Sequence, residues 1–328
     1  MGGLMGVRLH EAGHEVSFMD LSNKAEFINK HGIRLKDIQG NISRISVRAS
    51  DKANKLGTQD VVVLSVKANQ LEAVAPSIEP LLETHTSIVS LQNGLPWWYF
   101  EHHGGEYDGH QIKCLDPTGI IRKYIPANRI IGCVAYPAAE TIQPGLIRHV
   151  EGDRFALGEL DGALTDRCAA IADALSDAGF RSRVIEDIRA EHWLKAWGSL
   201  SFNPISALTR ATMVDIATEP STRSLVHAMM SEAELIANKL GIQFRHTIEK
   251  RIKGAEGVGH HKTSMLQDVE NGRALELEAL MGCILELADL TGVSAPHIRS
   301  VYACTILLDK QIQCTVLAGT TNNTLLAI

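Results

Sequence analysis

One short run, Asp60 to Val66 (DVVVLSV), constrains the fold of this chain most. Its apolar residues follow one another without the alternation that a half-exposed strand would show. Such a strand needs cover on both faces, as in a parallel sheet flanked by helices. Ser87 to Leu91 has the same character, and strand-like pieces recur at His14–Met19, between Arg129 and Glu159, and at Arg183–Ile185. Helical periods lie between them. Leu4 to Ala12 puts Met5, Leu9 and Ala12 on one face and is closed by Gly13. A stretch from Gln70 is bent at Pro76 and ended by Pro80. Leu164 to Ala178 lines up Leu164, Cys168, Ile171 and Leu175. The alternation predicts a parallel α/β sheet.

After about Glu186 only helical periods remain. Ser221 is placed to cap a helix that runs to Leu240 and stops at Gly241. Leu277, Leu280, Met281, Ile284 and Leu287 form a stripe that ends before Gly292 and Pro296. Thr315–Ile328 reads as a weakly patterned tail. We therefore expect an α/β domain over residues 1–186 and an all-helical domain over 187–328, a division that suits 328 residues.

The net charge of −6 speaks against nucleic acid as a partner, because phosphate binding needs a basic surface. No apolar run is long enough to span a bilayer, and no secretory leader is visible, so no membrane partner is expected. Cys114, Cys133, Cys168, Cys283, Cys304 and Cys314 are scattered without a C-x-x-C pair. They read as reduced thiols, which makes the cytoplasm the expected location.

The opening Met1-Gly2-Gly3-Leu4-Met5-Gly6 carries the first chemical signal. Small residues at a helix start, then a strand ending in an acid, form the second half of a dinucleotide-binding βαβ unit. Gly2 and Gly3 would let the helix start approach a pyrophosphate. Asp20 stands where a strand-end carboxylate accepts the adenosine ribose hydroxyl. The preceding strand and the first two glycines of the fingerprint are expected upstream of Met1. Cys314–Gly319 is the other strand-like segment that could take that place.

Other patterns invite less. His10-Glu11-Ala12-Gly13-His14 matches the H-e-x-x-H letters, but Gly13 should end the helix between the two histidines, so no metal site is expected. Trp97 and Trp98 suit either core packing or a cover over a cofactor. Glu232 lies on the apolar side of its helix and reads as a partly exposed carboxylate, with a helix contact or a dimer contact as the alternatives.

Four further segments, in order and in register, carry a family resemblance. They are Val63-Leu64-Ser65-Val66-Lys67-Ala68; Leu91-Gln92-Asn93-Gly94; Trp193-Leu194-Lys195-Ala196-Trp197 with Asn203-Pro204-Ile205-Ser206; and Ser264-Met265-Leu266-Gln267-Asp268 with Gly272-Arg273 and Glu276. Together they resemble the ketopantoate reductase (2-dehydropantoate 2-reductase) family. The resemblance implies a Rossmann-like dinucleotide-binding domain and a helical substrate and dimerisation domain of the 6-phosphogluconate-dehydrogenase-like type. It implies NAD(P)H-dependent reduction of a small 2-keto acid, 2-dehydropantoate to pantoate, in pantothenate biosynthesis, with a homodimer as a possible assembly. By the same resemblance Lys195 is the general acid and Glu276 contacts the substrate hydroxyl. Lys67 and Asn93 lie by the nicotinamide, and Asn93, Ser199, Asn203 and Ser264 hold the substrate. Ketone reduction requires a proton on oxygen as hydride reaches carbon, and a lysine in a partly dry cleft suits that task.

The chain departs from the family at two named positions. Ser199 stands where an asparagine is usual, which loosens the inference to ketopantoate itself. Leu21, preceded by Asp20, stands where an arginine usually meets the 2′-phosphate of NADP. A carboxylate repels a phosphate and accepts a hydroxyl, so NAD is expected to serve at least as well as NADP, with Lys24 as the nearby cation. The alternatives are another hydroxy-acid or opine-type dehydrogenase, or a non-catalytic nucleotide-binding protein.

Overall fold

The computed structural model describes the backbone of residues 1–325 and side chains as far as Thr315. It divides into two compact units. The first comprises Met1–Gln92, Trp97–Gln111 and Thr118–Ile188, and the second Asn93–Pro96, Ile112–Pro117 and the chain from Arg189.

In the first unit, α1 (Gly2–Glu11), β1 (Ser17–Met19) and α2 (Ser22–His31) precede β2 (Ile33–Lys36), β3 (Ile42–Ile45) and β4 (Arg48–Ser50). Next come β5 (Val61–Leu64), α3 (Leu71–Val74), β6 (Ser87–Ser90), α4 (Ile120–Tyr124) and β7 (Ile130–Ala135). β8 (Ala138–Gln143), β9 (Leu146–Glu151), β10 (Arg154–Gly158), α5 (Asp166–Asp177) and β11 (Arg181–Val184) complete it.

The central ladder has the order β11-β10-β7-β6-β5. β5, β6 and β7 run parallel, with Val62 opposite Ile88 and Val89 opposite Ile131. This Rossmann-like core agrees with the expected α/β class, but the strands form three ladders instead of one parallel sheet. β10 is antiparallel to β7. β1 and β4 form a separate parallel pair, and β3-β2-β9-β8 make a mixed sheet. Position in the ladder also decides burial. β6, with a neighbour on each side, is buried at all four residues, whereas β5 lies at the edge and leaves Val61 38% exposed.

Helix α1 joins these parts by packing on β2, β3, β9 and α5. Leu4 and Val7 enter a core with Ile28, Leu35, Ile131, Phe155 and Leu175. Trp97 and Trp98 are core residues too, and the Trp98 indole N–H donates to Ser90 Oγ at 3.1 Å. Prolines break the stretch after Gln70 more severely than expected: only Leu71–Val74 is α-helical, and tight single turns follow at Ala75–Ser77 and Glu79–Leu81. Leu164 falls outside α5 and is exposed, because Thr165 caps that helix through the Cys168 N–H.

The second unit is helical apart from its short early segments. It contains α6 (Ile188–Thr209), α7 (Met213–Thr218), α8 (Pro220–Lys239), α9 (Ile248–Val258) and α10 (Ser264–Glu270). A π-helical turn (Glu278–Gly282), α11 (Cys283–Thr291) and α12 (Pro296–Leu325) follow. Three expectations need correction here. The cap of α8 is Glu219, whose carboxylate accepts the Thr222 N–H at 2.6 Å, with Pro220 as first helical residue in place of a Ser221 cap. Cys314–Gly319 belongs to α12, so it supplies no strand, and the expected tail is helical as far as Leu325. Of that tail, residues 326–328 lie outside the described residues.

Glu232 is the third correction. It is buried, not partly exposed, and of the two alternatives the helix contact holds: it caps α12 from α8. Its carboxylate accepts the backbone N–H of His297 at 3.0 Å and of Ile298 at 2.9 Å, and it meets His297 Nδ1 at 2.6 Å. The first turn of a helix has amides with no partner inside the helix, and a buried acceptor satisfies two of them here. Glu232→Ala should therefore lower unfolding free energy by about 2–3 kcal/mol, read as a lower urea midpoint. An unchanged midpoint would show that the cap contributes nothing.

Candidate active site

Helix α6 is buried almost all round. From Glu191 to Ala207 every residue is buried except Lys195, Ser199 and Asn203. These three are spaced i, i+4, i+8 and so share one face. The opposite faces are fixed by bulk: Trp193 and Trp197 are both 0% exposed. The Trp197 indole stacks on Phe244 with centroids 4.1 Å apart, and its N–H donates to the Met230 carbonyl at 2.7 Å. Rotation of α6 is thereby set, and the polar stripe is the side left half-open.

Lys195 Nζ donates to Asn93 Oδ1 at 2.7 Å, across 102 residues of sequence. Ser199 Oγ donates back to the Lys195 carbonyl at 3.3 Å, within the helix. Asn203 Nδ2 reaches Ser264 Oγ, the first residue of α10, at 3.4 Å. Of the residues selected from sequence, the fold thus brings together Lys195 with Asn93, and Asn203 with Ser264. Glu276 is half-buried just before the π-turn, and its carbonyl accepts the Leu280 N–H at 3.2 Å.

That π-turn shapes the Asn93-Gly94-Leu95 segment. In it the Cys283 N–H bonds to the Glu278 carbonyl, five residues back. The carbonyl of Ala279, which an α-helix would have given to Cys283, is left to accept the Leu95 N–H at 3.0 Å. Gly94 has φ +82°, and a Cβ there would run into that same Ala279 carbonyl. Glycine is required on both counts.

Two acidic or basic residues missed by the sequence reading sit a turn before Lys195. Glu191 is 0% exposed and is held by the guanidinium of Arg245, as a buried charge requires. His192 is buried as well, and its Nδ1 lies 3.2 Å from the Gly94 carbonyl. Burial, then the nearby Lys195 and Arg189 charges, push this imidazole down to about 3. The available signal was spacing alone: both residues lie three or four positions from Lys195, and nothing local marks their partners.

The α/β unit carries the other selected residues. Gly2 and Gly3 open α1, where a Cβ would overlap the Ser65 hydroxyl and the Ile147 side chain respectively. Close helix–strand approach at Gly2 is what the last glycine of a dinucleotide fingerprint permits. The first turn of α1 has neither a side-chain cap nor an acidic residue, which leaves its amide donors suited to a pyrophosphate. Asp20 follows β1, with its own N–H on the Ser50 carbonyl at 3.2 Å. Its Oδ1 accepts the Leu21 N–H at 2.8 Å and lies 3.3 Å from Lys24 Nζ. Lys67 is half-buried beyond β5, its N–H on Gln70 Oε1 at 3.2 Å. Gln92 ties the ends of β5 and β6 together, donating to the Leu64 carbonyl at 2.8 Å. A strand-end carboxylate and an uncapped glycine-led helix fit the adenosine and pyrophosphate of a nicotinamide dinucleotide.

A Rossmann-like unit followed by a helical unit with a lysine–asparagine pair defines a class, the two-domain nicotinamide-dependent oxidoreductases. Comparison with known proteins narrows it. The ketopantoate reductase PanE/ApbA family matches residues 1–105, and its C-terminal domain matches residues 187–308. A 2-dehydropantoate 2-reductase of Mesorhizobium japonicum is 46% identical over 304 residues, covering 92% of this chain and 93% of that protein. The chain belongs to the ketopantoate reductase family. Among solved structures, a candidate ketopantoate reductase from Ralstonia solanacearum superposes with TM-score 0.91 at 35% identity, covering 95% and 96% of the two chains. The 2-dehydropantoate 2-reductase of Geobacter metallireducens gives 0.80 at 25% identity, covering 94% and 95%. A D-mandelate dehydrogenase solved with NADH and anilino(oxo)acetate shares the fold, with TM-score 0.80 at 22% identity and coverage of 95% and 96%. Among the described residues, no helix is long and apolar enough to cross a membrane.

The burial of His192 has a pH signature. Its folded pKa, about 3, lies below the ordinary 6.5, so the unfolded chain binds a proton that the native site refuses. The resulting stability is full above about pH 6.5 and is lost as pH falls toward 3. Between neutral pH and about pH 5 the wild type should lose about 2 kcal/mol more than His192→Asn, measured by urea unfolding at each pH. Parallel pH curves for the two proteins would refute the assignment.

Proposed function

We propose that this protein reduces 2-dehydropantoate to pantoate with a nicotinamide cofactor, and that Lys195 is the proton donor. The observation that carries the reading is the 2.7 Å contact between Lys195 Nζ and Asn93 Oδ1 on the half-open stripe of α6. When bound, the reduced nicotinamide supplies a hydride to the carbonyl carbon of the keto acid. The Lys195 ammonium gives one proton to the carbonyl oxygen, so a ketone becomes a secondary alcohol and charge does not accumulate on oxygen. Asn93 aims the amine, and the family pattern assigns Asn93 and Lys67 each to the nicotinamide. Asn203 and Ser264 supply donors for the substrate carboxylate, Ser199 joins them once its hydroxyl leaves the Lys195 carbonyl, and Glu276 accepts from a substrate hydroxyl. Gly2, Gly3 and Asp20 hold the dinucleotide.

Two finer choices follow from this chain's own residues. The Ser199 hydroxyl, turned back onto the Lys195 carbonyl, leaves a smaller side chain where the family usually has an asparagine. It favours a second reading, a reductase for another 2-keto acid of similar size, which a substrate panel would distinguish. Asp20 and its partner Lys24 favour NADH at least as much as NADPH. A 2′-phosphate would meet the carboxylate and would compete with it for that lysine. Six free cysteines suit a reducing compartment such as the cytoplasm.

Lys195→Ala should reduce kcat by about 10²–10⁴-fold, with less change in the KM for NADH. Unchanged turnover would remove Lys195 from the reaction. Asp20→Ala should raise the ratio of NADPH to NADH kcat/KM by on the order of tenfold, the value of about 1.4 kcal/mol. A wild-type enzyme already far better with NADPH would overturn the cofactor preference.

A further inference from the structure

The ends of the Asn93-Gly94-Leu95 turn are held in different ways. Leu95 is fixed by its N–H to the Ala279 carbonyl at 3.0 Å, an acceptor freed by the π-turn. Asn93 carries the oxygen that receives the Lys195 amine. Gly94 lies between, at φ +82°, and has no side chain to pack. Its backbone can therefore be fixed only through its peptide groups, and a small rotation about them would swing the Asn93 side chain. His192 supplies that restraint. It stands one turn before Lys195 on the same helix, is 3% exposed, and places Nδ1 3.2 Å from the Gly94 carbonyl.

We infer that His192 is a positioning residue for Lys195, acting through the Gly94 carbonyl and the Asn93 amide. The inference rests on the reductase reading above, in which Lys195 is the proton donor. The ring closes a loop of contacts: α6 to the Gly94 carbonyl through His192, along the chain to Asn93, and back to α6 through Lys195. Two contacts from one helix turn to neighbouring residues fix an orientation, whereas either alone leaves a pivot. The imidazole must donate from Nδ1, and because burial keeps the ring neutral, it does so without placing a second cation beside the lysine. Misplacement of a reacting group by about 1 Å can cost about 10²-fold in rate, so a restraint of this kind registers in kcat.

The test compares His192→Leu, which preserves bulk and deletes the donor, with His192→Asn, whose amide nitrogen falls close to the position of Nδ1. In the full-length enzyme, with 2-dehydropantoate and NADH, His192→Leu should lower kcat by about 10–100-fold while both KM values stay within about threefold. His192→Asn should recover most of that loss. Independently of turnover, the side-chain amide resonance of Asn93 should shift or broaden in His192→Leu and return toward its wild-type position in His192→Asn. Should the leucine variant fail to fold, His192→Met takes its place. The inference is overturned by a kcat within twofold of wild type together with an unmoved Asn93 resonance. It is equally overturned by an asparagine variant as impaired as the leucine one, which would mark a packing role. A wild-type protein that turns over no 2-keto acid would sink the reductase reading instead, and the Asn93 resonance would still decide the positioning role.

Discussion

The packing of Trp193 and Trp197 fixes the rotation of α6, and the polar stripe depends on that rotation. A helix exposed on one broad side can roll by some tens of degrees at little cost, because water accepts whatever comes to the surface. Helix α6 has no such freedom. Turning it would drive Lys195 into apolar side chains and would pull an indole N–H from the Met230 carbonyl. Two fully buried tryptophans therefore do for Lys195 what a short linker does in a small catalyst, and they do it with side chains that never meet a substrate.

The second fixed element is a defect in a helix. A π-turn gives up regular hydrogen bonding, and its cost has to be recovered elsewhere. Here the displaced carbonyl of Ala279 finds the Leu95 N–H and the Cys283 thiol, the latter at 3.1 Å. The turn that carries Asn93 is thus built against a helix that is irregular at that point. It also needs a glycine there, since any Cβ at position 94 would collide with the same carbonyl. The Gln-Asn-Gly triplet then has a physical division of labour. Gln92 ties two parallel strands, Asn93 faces the lysine, and Gly94 tolerates both the left-handed backbone and the close approach.

Much of this was legible in the residues because it is written locally. Val61–Leu64 and Ser87–Ser90 announce parallel strands, although only the second is buried throughout, helical periods alone follow Glu186, and the four family segments select Lys195 and Asn93. What escaped is written at long range. Glu232 and the α12 amides it caps are 65 and 66 residues apart, so its helix alone shows only a carboxylate on an apolar side. His192 and Gly94 are separated by 98 residues. The mixed sheet pairs β2 with β9, more than a hundred residues later, and no periodicity in either strand names its neighbour. The π-turn hides because the stripe Leu277, Leu280, Met281 and Ile284 suits either helical period. The Ser221 cap misled for a related reason: Pro220 moved the helix start forward, so that Glu219 became the residue with a side-chain oxygen beside free amides.

An amide oxygen is a well-suited partner for an ammonium that has to give up its proton, and Asn93 offers one to Lys195. An aspartate at 2.7 Å would orient the ammonium equally well, but it would hold the proton on nitrogen more tightly and make a poorer acid of it. An amide oxygen orients with less hold. The neighbours a turn earlier are balanced to the same effect. Glu191 is paired with the Arg245 guanidinium. His192 is kept neutral by burial, so it adds no repulsion that would drive the amine from its acceptor. A proton donor needs two things: a fixed direction, and a proton that is not held too well.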